Sequence, residues 1–267
     1  MTKCEDILID VKELAVTAGE AILKIYETDF EVQQKEDNTP LTKADMAAHD
    51  IIEAGLLKLS PEIPVLSEES AQIDYEERKI WKEYWLVDPL DGTKEFVKRN
   101  GEFTVNIAYI RDGYPVMGVI YAPVLKLTYY ACQGKGAFMQ AGKQQAHRIS
   151  TRKMDISKLV IAGSRSHAGS SLKRFMTQFD SHEIVSMGSS LKSCLVAQGE
   201  ADIYPRFGPT SEWDTAAAQC IVEEAGGKLL NLHLERLRYN SKPSLLNPQF
   251  VVLGDTSFDW ARFIPKP

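Results

Sequence analysis

Residues 103–110 and 114–121 are two runs of recurring apolar and β-branched residues, joined by Arg111-Asp112-Gly113. An Asp-Gly pair between alternating strands predicts an antiparallel hairpin, because both residues tolerate the positive φ that a tight turn requires. Short apolar runs at 64–66, 84–87 and 127–131 predict further strands around it. Ahead of them, Leu8, Val11, Leu14, Ala15, Ala18, Ile22 and Ile25 recur at three and four, the spacing of one helix face over 7–26. Thr42-Lys43-Ala44-Asp45 has capping-box form and opens a second periodic run through His49, Ile52, Leu56 and Leu59, ended by Ser60-Pro61.

Beyond residue 150 the rhythm changes. Strands predicted at 159–162, 183–185 and 201–204 alternate with helices predicted near 170–179, 190–197 and 214–224, a βαβ-like order. No repeat or Pro/Gly-rich linker separates the two parts. The expectation is one α/β (α+β) domain over 1–267, with a helix-plus-antiparallel-sheet half (about 1–150) and an α/β half (about 151–267) whose two sheets share a cleft.

The chain of 267 residues carries 31 Lys and Arg against 37 Asp and Glu, a formal charge of −6. An acidic chain without a basic run is a poor binder of nucleic-acid polymers, which are held by clustered cations on their phosphates. No stretch nears the roughly 20 apolar residues of a membrane helix, and the first residues lack a signal-sequence pattern, so a cytoplasmic place is expected. Cys4, Cys132, Cys194 and Cys220 lie far apart without a Cys-x-x-Cys pair, and are expected to be reduced, packed thiols.

The chemistry concentrates where residues 84–87 run into Asp88-Pro89-Leu90-Asp91-Gly92-Thr93. Proline lacks an N–H and has a fixed φ, so the chain leaves the strand in a defined turn that can aim Asp88 and Asp91 at one point, with the Leu90 carbonyl between them. Oxygen donors of this kind suit a hard ion such as Mg²⁺. Gly92 and Thr93 would then offer backbone N–H groups to an anion at a helix start. Taken alone, the segment reads equally well as a surface turn. Glu68-Glu69 stands at another strand end, Asp214 at the head of an alanine-rich run, where it could be a helix N-cap, and Asp45 in the capping-box segment. If these acids converge without cations they repel strongly; either they lie apart, or they hold metal ions.

In this order, Asp45, Glu68-Glu69, Asp88 to Thr93, Trp213-Asp214 and Gly226-Gly227 resemble the signature of the Mg²⁺-dependent, lithium-sensitive phosphomonoesterases of the inositol monophosphatase superfamily. Lys94-Glu95-Phe96, the segment 98–106, Gly163-Ser-Arg-Ser-His167, Gly188-Ser-Ser-Leu-Lys192 and Tyr204-Pro-Arg-Phe-Gly208 are similar to the bacterial CysQ-type 3′(2′),5′-bisphosphate nucleotidases within it. The resemblance implies a layered α/β/α/β/α sandwich and metal ligation by Glu68, Asp88, the Leu90 carbonyl, Asp91 and Asp214. It also implies that Asp45 and Thr93 are catalytic, polarising the attacking water. Substrate contacts would come from Glu68, Leu90, Asp91, Gly92, Thr93, His167, Ser189, Lys192, Arg206 and Asp214, with Arg165 as a substitute partner for His167.

The activity so implied is hydrolysis of adenosine 3′,5′-bisphosphate to AMP and phosphate by metal-activated water, without a covalent intermediate, recycling a by-product of sulfate assimilation. Two or three Mg²⁺ ions would be bound, Li⁺ would inhibit, and 3′-phosphoadenylyl sulfate is a related substrate. Relatives placed on the inner face of the bacterial membrane make peripheral attachment there the alternative location. The rivals are an inositol monophosphatase or sugar bisphosphatase of the same superfamily and, from another class, an inactive sensor of metal or nucleotide. An inositol phosphate has no second phosphate for Lys192 and Arg206 to meet, which favours the nucleotidase.

Overall fold

The computed structural model describes residues 4–28, 40–163 and 170–265. In chain order the elements are α1 (Cys4–Tyr26), α2 (Pro40–Leu59), β1 (Val65–Ser67), α3 (Tyr75–Arg78), β2 (Glu83–Asp91), α4 (Thr93–Val97), β3 (Thr104–Arg111), β4 (Tyr114–Ala122), β5 (Leu127–Cys132), β6 (Gly136–Ala141) and β7 (His147–Ile149). They continue with β8 (Val160–Gly163), α5 (Ser170–Met176), β9 (Glu183–Ser186), α6 (Leu191–Ala197), β10 (Ile203–Arg206), α7 (Ala216–Glu224), β11 (Lys228–Asn231) and β12 (Phe250–Leu253).

Strands β1 to β7 form one sheet in sequence order, parallel at β1–β2 and antiparallel elsewhere, and the expected hairpin is the β3–β4 turn. The second sheet has the order β11-β12-β10-β8-β9, parallel from β10 to β9. Strand parity explains how these sheets stack, because successive side chains point to opposite faces. Trp85 and Val87 of β2, Ile107 and Tyr109 of β3 and Val119 of β4 pack with the buried face of α1 and α2. Their neighbours Tyr84, Leu86, Ala108, Ile110 and Ile120 face the other way, into a core shared with α6, α7 and Val160, Tyr204 and Val252 of the second sheet. Ile161, Ile203 and Val251 point outward again, against Phe175 of α5 and the tail residues Trp260 and Ile264. Five layers result, helices alternating with sheets as the resemblance implied.

Some expectations needed correction. Helix α2 starts at Pro40, so Thr42 lies inside the first turn and is not the residue that caps it. Strands β6, β7, β11 and β12 were not anticipated; they are short, and their alternation is weak. Cys4 and Cys132 form a disulfide, with Cα atoms 6.1 Å apart, because α1 crosses the large sheet with its first turn beside the end of β5. Cys194 and Cys220 are buried free thiols, as expected. No helix among the described residues is long and apolar enough to cross a membrane.

Candidate active site

The register of β2 against β3 runs regularly to Asp88 opposite Asn106 and then slips, so that Asp91 faces Thr104. The extra residue is a bulge at Pro89-Leu90, where proline has no N–H to give to the ladder. The Leu90 N–H donates instead to Asp88 Oδ1 at 3.1 Å. Gly92 follows with φ 102°, and a Cβ there would stand 3.2 Å from Phe103 Cα, so the tight exit into α4 requires glycine. The bulge and turn bring Asp88 and Asp91 to the same end of the sheet.

Parallel pairing of β1 with β2 aligns Ser67 with Val87, which sets Glu68 beside Asp88. From the other half, the one-turn helix Glu212–Asp214 ahead of α7 presents Asp214, with Asp214 Oδ2 accepting the Ser211 N–H at 2.9 Å. One carboxylate oxygen from each of Asp88, Asp91 and Asp214 lies within 4.8 Å of the others. Asp88 is buried, and its neighbours Asp91, Glu68, Asp214 and Asp45 all act on it, so desolvation and then like charge push its carboxyl well above the usual range. Burial, then Glu69 and Asp91, pushes Glu68 up to about 7. Burial and Asp91 push Asp214 up to about 7. Asp45, reaching in from α2, is raised to about 8 by burial and then by Glu69 and Glu68, and its Oδ1 is buried without a hydrogen-bond partner among the described residues.

Burial, and for Asp45, Glu68, Asp88 and Asp214 also like charge, raises all five carboxyl groups including Asp91, whose rise Lys192 partly offsets. Such an oxygen donor set fits hard divalent cations, which would relieve the repulsion directly. The acids predicted from four separate segments therefore converge. Glu68, Asp88, Asp91 and Asp214 line a cleft of about 740 Å³ together with Leu90, Gly92 and Thr93.

Ser189, Lys192 and Arg206 line the same cleft. Ser189 adopts φ 36°, unusual for a residue with a side chain, and is held by its Oγ donating to the Glu102 carbonyl at 2.8 Å. Lys192 is only 6% exposed. Its Nζ donates to the Ser189 carbonyl at 2.6 Å and to Met187 O at 3.3 Å, and burial lowers its pKa to about 8. Lys192 thus ties the 187–189 loop to α6. Arg206 donates from Nη2 to Pro209 O at 3.0 Å, while its Nε is buried with no partner among the described residues. His167 and Arg165 lie outside the described residues.

Sequence reasoning passed over Ser190, Asn106 and Thr104. Ser190 Oγ approaches Asp91 Oδ2 at 2.7 Å and accepts from Asn106 Nδ2 at 3.0 Å, and Thr104 Oγ1 donates to Asn106 Oδ1 at 3.0 Å. A signal was present: Thr104 and Asn106 are polar residues two apart in a strand that is otherwise apolar and buried as far as Ile110.

A model of the inositol monophosphatase family matches residues 5–255. The chain belongs to the inositol monophosphatase family. This family is metal-dependent, in keeping with the acidic cluster at Asp88, Asp91 and Asp214. Among its members, the chain is 49% identical to the 3′(2′),5′-bisphosphate nucleotidase CysQ of Salmonella typhimurium strain LT2, over 92% of this chain and 98% of that one. It is 40% identical to the CysQ nucleotidase of Haemophilus influenzae over 97% of both chains. The crystal structure of CysQ from Bacteroides thetaiotaomicron superposes with a TM-score of 0.86 at 42% identity, covering 94% of this chain and 98% of that one. An inositol monophosphatase from Zymomonas mobilis has the same fold, with a TM-score of 0.79 at 22% identity, covering 96% and 95%.

Proposed function

We propose that the chain is a Mg²⁺-dependent phosphomonoesterase that hydrolyses adenosine 3′,5′-bisphosphate to AMP and phosphate. The observation that carries the reading is one cleft lined by Glu68, Asp88, Asp91 and Asp214, with Asp45 beside these acids, and by Lys192 and Arg206. The similarity to CysQ nucleotidases over nearly the whole chain supports the choice of substrate. Glu68, Asp88, the Leu90 carbonyl, Asp91 and Asp214 would hold two or three Mg²⁺ ions. When bound, these ions supply charge neutralisation for the phosphate, a water of lowered pKa and stabilisation of the leaving oxygen.

The chain's own residues orient the reaction. Asp45, whose Oδ1 has no partner among the described residues, takes the proton of the attacking water together with the Thr93 hydroxyl. Backbone N–H groups at Gly92 and Thr93 meet the reacting phosphate. Arg206 and Lys192 meet the phosphate that is not cleaved, with Ser189 beside them, and His167 completes the nucleotide contacts. No nucleophilic side chain is required, because positioning and electrostatics lower the barrier to direct attack by water. The same contacts admit 3′-phosphoadenylyl sulfate, which carries the same 3′-phosphate. Phosphate release with Mg²⁺ from adenosine 3′,5′-bisphosphate and from inositol 1-phosphate tests the reading. Faster turnover of the nucleotide is expected; faster turnover of the inositol ester would overturn it.

A further inference from the structure

We propose that Ser190 is a positioning residue that locks Asp91 and the Asp214 turn into the geometry a divalent cation needs. Its hydroxyl is where four elements meet. Asp91 comes from the end of β2, Asn106 from β3, Ser190 from the head of α6, and Asp214 from the turn before α7. Ser190 is 5% exposed and Asn106 1%, so both are buried and their partners are mainly protein groups.

Ser190 Oγ stands 2.7 Å from Asp91 Oδ2, 99 residues away in sequence, and 3.0 Å from the backbone carbonyl of Asp214. One hydroxyl carries one proton, and the shorter contact to a carboxylate makes the stronger, charge-assisted bond. The oxygen lone pairs accept from Asn106 Nδ2 at 3.0 Å, and the same amide reaches Asp91 Oδ2 at 3.4 Å. Thr104 Oγ1 donates to Asn106 Oδ1 at 3.0 Å, which orients the amide so that its NH₂ faces Ser190. The side-chain hydrogen bonds at Asp91 therefore gather on Oδ2, and the Ser190 backbone N–H adds a contact to the same carboxyl.

The arrangement couples the two sheets. Asp91 belongs to the large sheet and Asp214 to the segment that follows the small-sheet strand β10, so their separation depends on how the halves are docked. Ser190 stands between a polar group of each, 2.7 Å from Asp91 Oδ2 and 3.0 Å from the Asp214 carbonyl, and its one proton goes to Asp91 while its oxygen packs against the carbonyl as a spacer. Alanine would leave Asp91 Oδ2 without its shortest bond and the buried Asn106 amide without its nearest acceptor. Groups that orient metal ligands in this way change cation affinity by about 10- to 100-fold when removed.

The inference rests on the reading of Asp91 and Asp214 as cation ligands, and calorimetric titration of Mn²⁺ into the substrate-free full chain separates the two. Ser190→Ala is expected to bind Mn²⁺ about 10- to 100-fold more weakly. Its unfolding temperature in EDTA should fall modestly, as the loss of a buried hydrogen-bond partner requires, and kcat should recover to within a few-fold at saturating cation. A folded Ser190→Ala protein with parental Mn²⁺ affinity, or one that loses kcat alone, would overturn the inference. If Ser190→Ala does not fold, Ser190→Cys decides, since a thiol of similar size is a weak donor; parental affinity there overturns it equally. A parent chain that binds Mn²⁺ but hydrolyses no bisphosphate would remove the proposed substrate and leave this inference standing. A parent that binds no divalent cation would remove both.

Discussion

Gly118 of β4 lies so close beneath Ala217 of α7 that a Cβ on Gly118 would stand 2.3 Å from the Ala217 carbonyl oxygen. The helix can rest on the sheet at this distance only because one surface is glycine and the other alanine, and this seating sets the height of the Asp214 turn just ahead of α7. Gly118→Ala must push backbone against backbone, and overpacking of this kind costs about 1–3 kcal/mol. Urea unfolding should show the loss as a lower midpoint, and the apparent affinity for Mg²⁺ should fall with it.

The crowded carboxylates make stability depend on pH when no metal is bound. Glu68 and Asp214 are raised to about 7 and Asp45 to about 8, first by burial and then by neighbouring acids. Each binds its proton more tightly in the folded chain than in the unfolded one, where carboxyl pKa values are about 4. Stability from this source is fully present below about pH 4, declines as pH rises, and levels off above the folded values of about 7 to 8. Melting in EDTA should show the unfolding temperature falling between pH 5.5 and 8, with Mg²⁺ flattening the decline. A rise over that interval would contradict the crowding.

Asp91→Asn keeps the shape of the side chain and removes the charge that a cation would meet. Turnover should fall by at least about 10³-fold, as when a group stabilising developing charge is lost. The circular dichroism spectrum should be unchanged. At pH 8 in EDTA the variant should be no less stable than the parent, because one of the mutually repelling carboxylates is gone.

Arg206→Ala tests the second-phosphate contact. A hydrogen bond to a charged group is worth about 1.5–3 kcal/mol, so KM for adenosine 3′,5′-bisphosphate should rise by about 10- to 100-fold. KM for adenosine 3′-monophosphate, which lacks the second phosphate, should barely move. Equal effects on both substrates would place Arg206 elsewhere. Lys192→Ala is the less clean experiment, since Lys192 Nζ also holds the carbonyls of Met187 and Ser189.

Lithium should inhibit by competing for a Mg²⁺ position. Phosphate release measured against LiCl at fixed Mg²⁺ should fall in the millimolar range while NaCl at equal ionic strength has little effect. Insensitivity to lithium would count against the proposed metal site.

Local chemistry was readable along the chain. The Asp-Gly hairpin, the two N-terminal helices and the exit of a strand into Asp88-Pro-Leu-Asp-Gly follow from turn geometry and periodicity, which act over a few residues. Tertiary structure decided how those pieces serve the site. Glu68 meets Asp88 because β1 lies parallel to β2, and Asp214 joins them through the docking of α7 on Gly118. Lys192 reads in sequence as a free cation, yet the fold buries it among carbonyls; Cys4 and Cys132, 128 residues apart, become partners. Ser190 carries no local sign of its contact with Asp91. The reason is physical: periodicity records which way a side chain faces its own element, whereas convergence of charges depends on the packing of elements distant in sequence, where buried apolar area outweighs the repulsion that a bound cation would relieve.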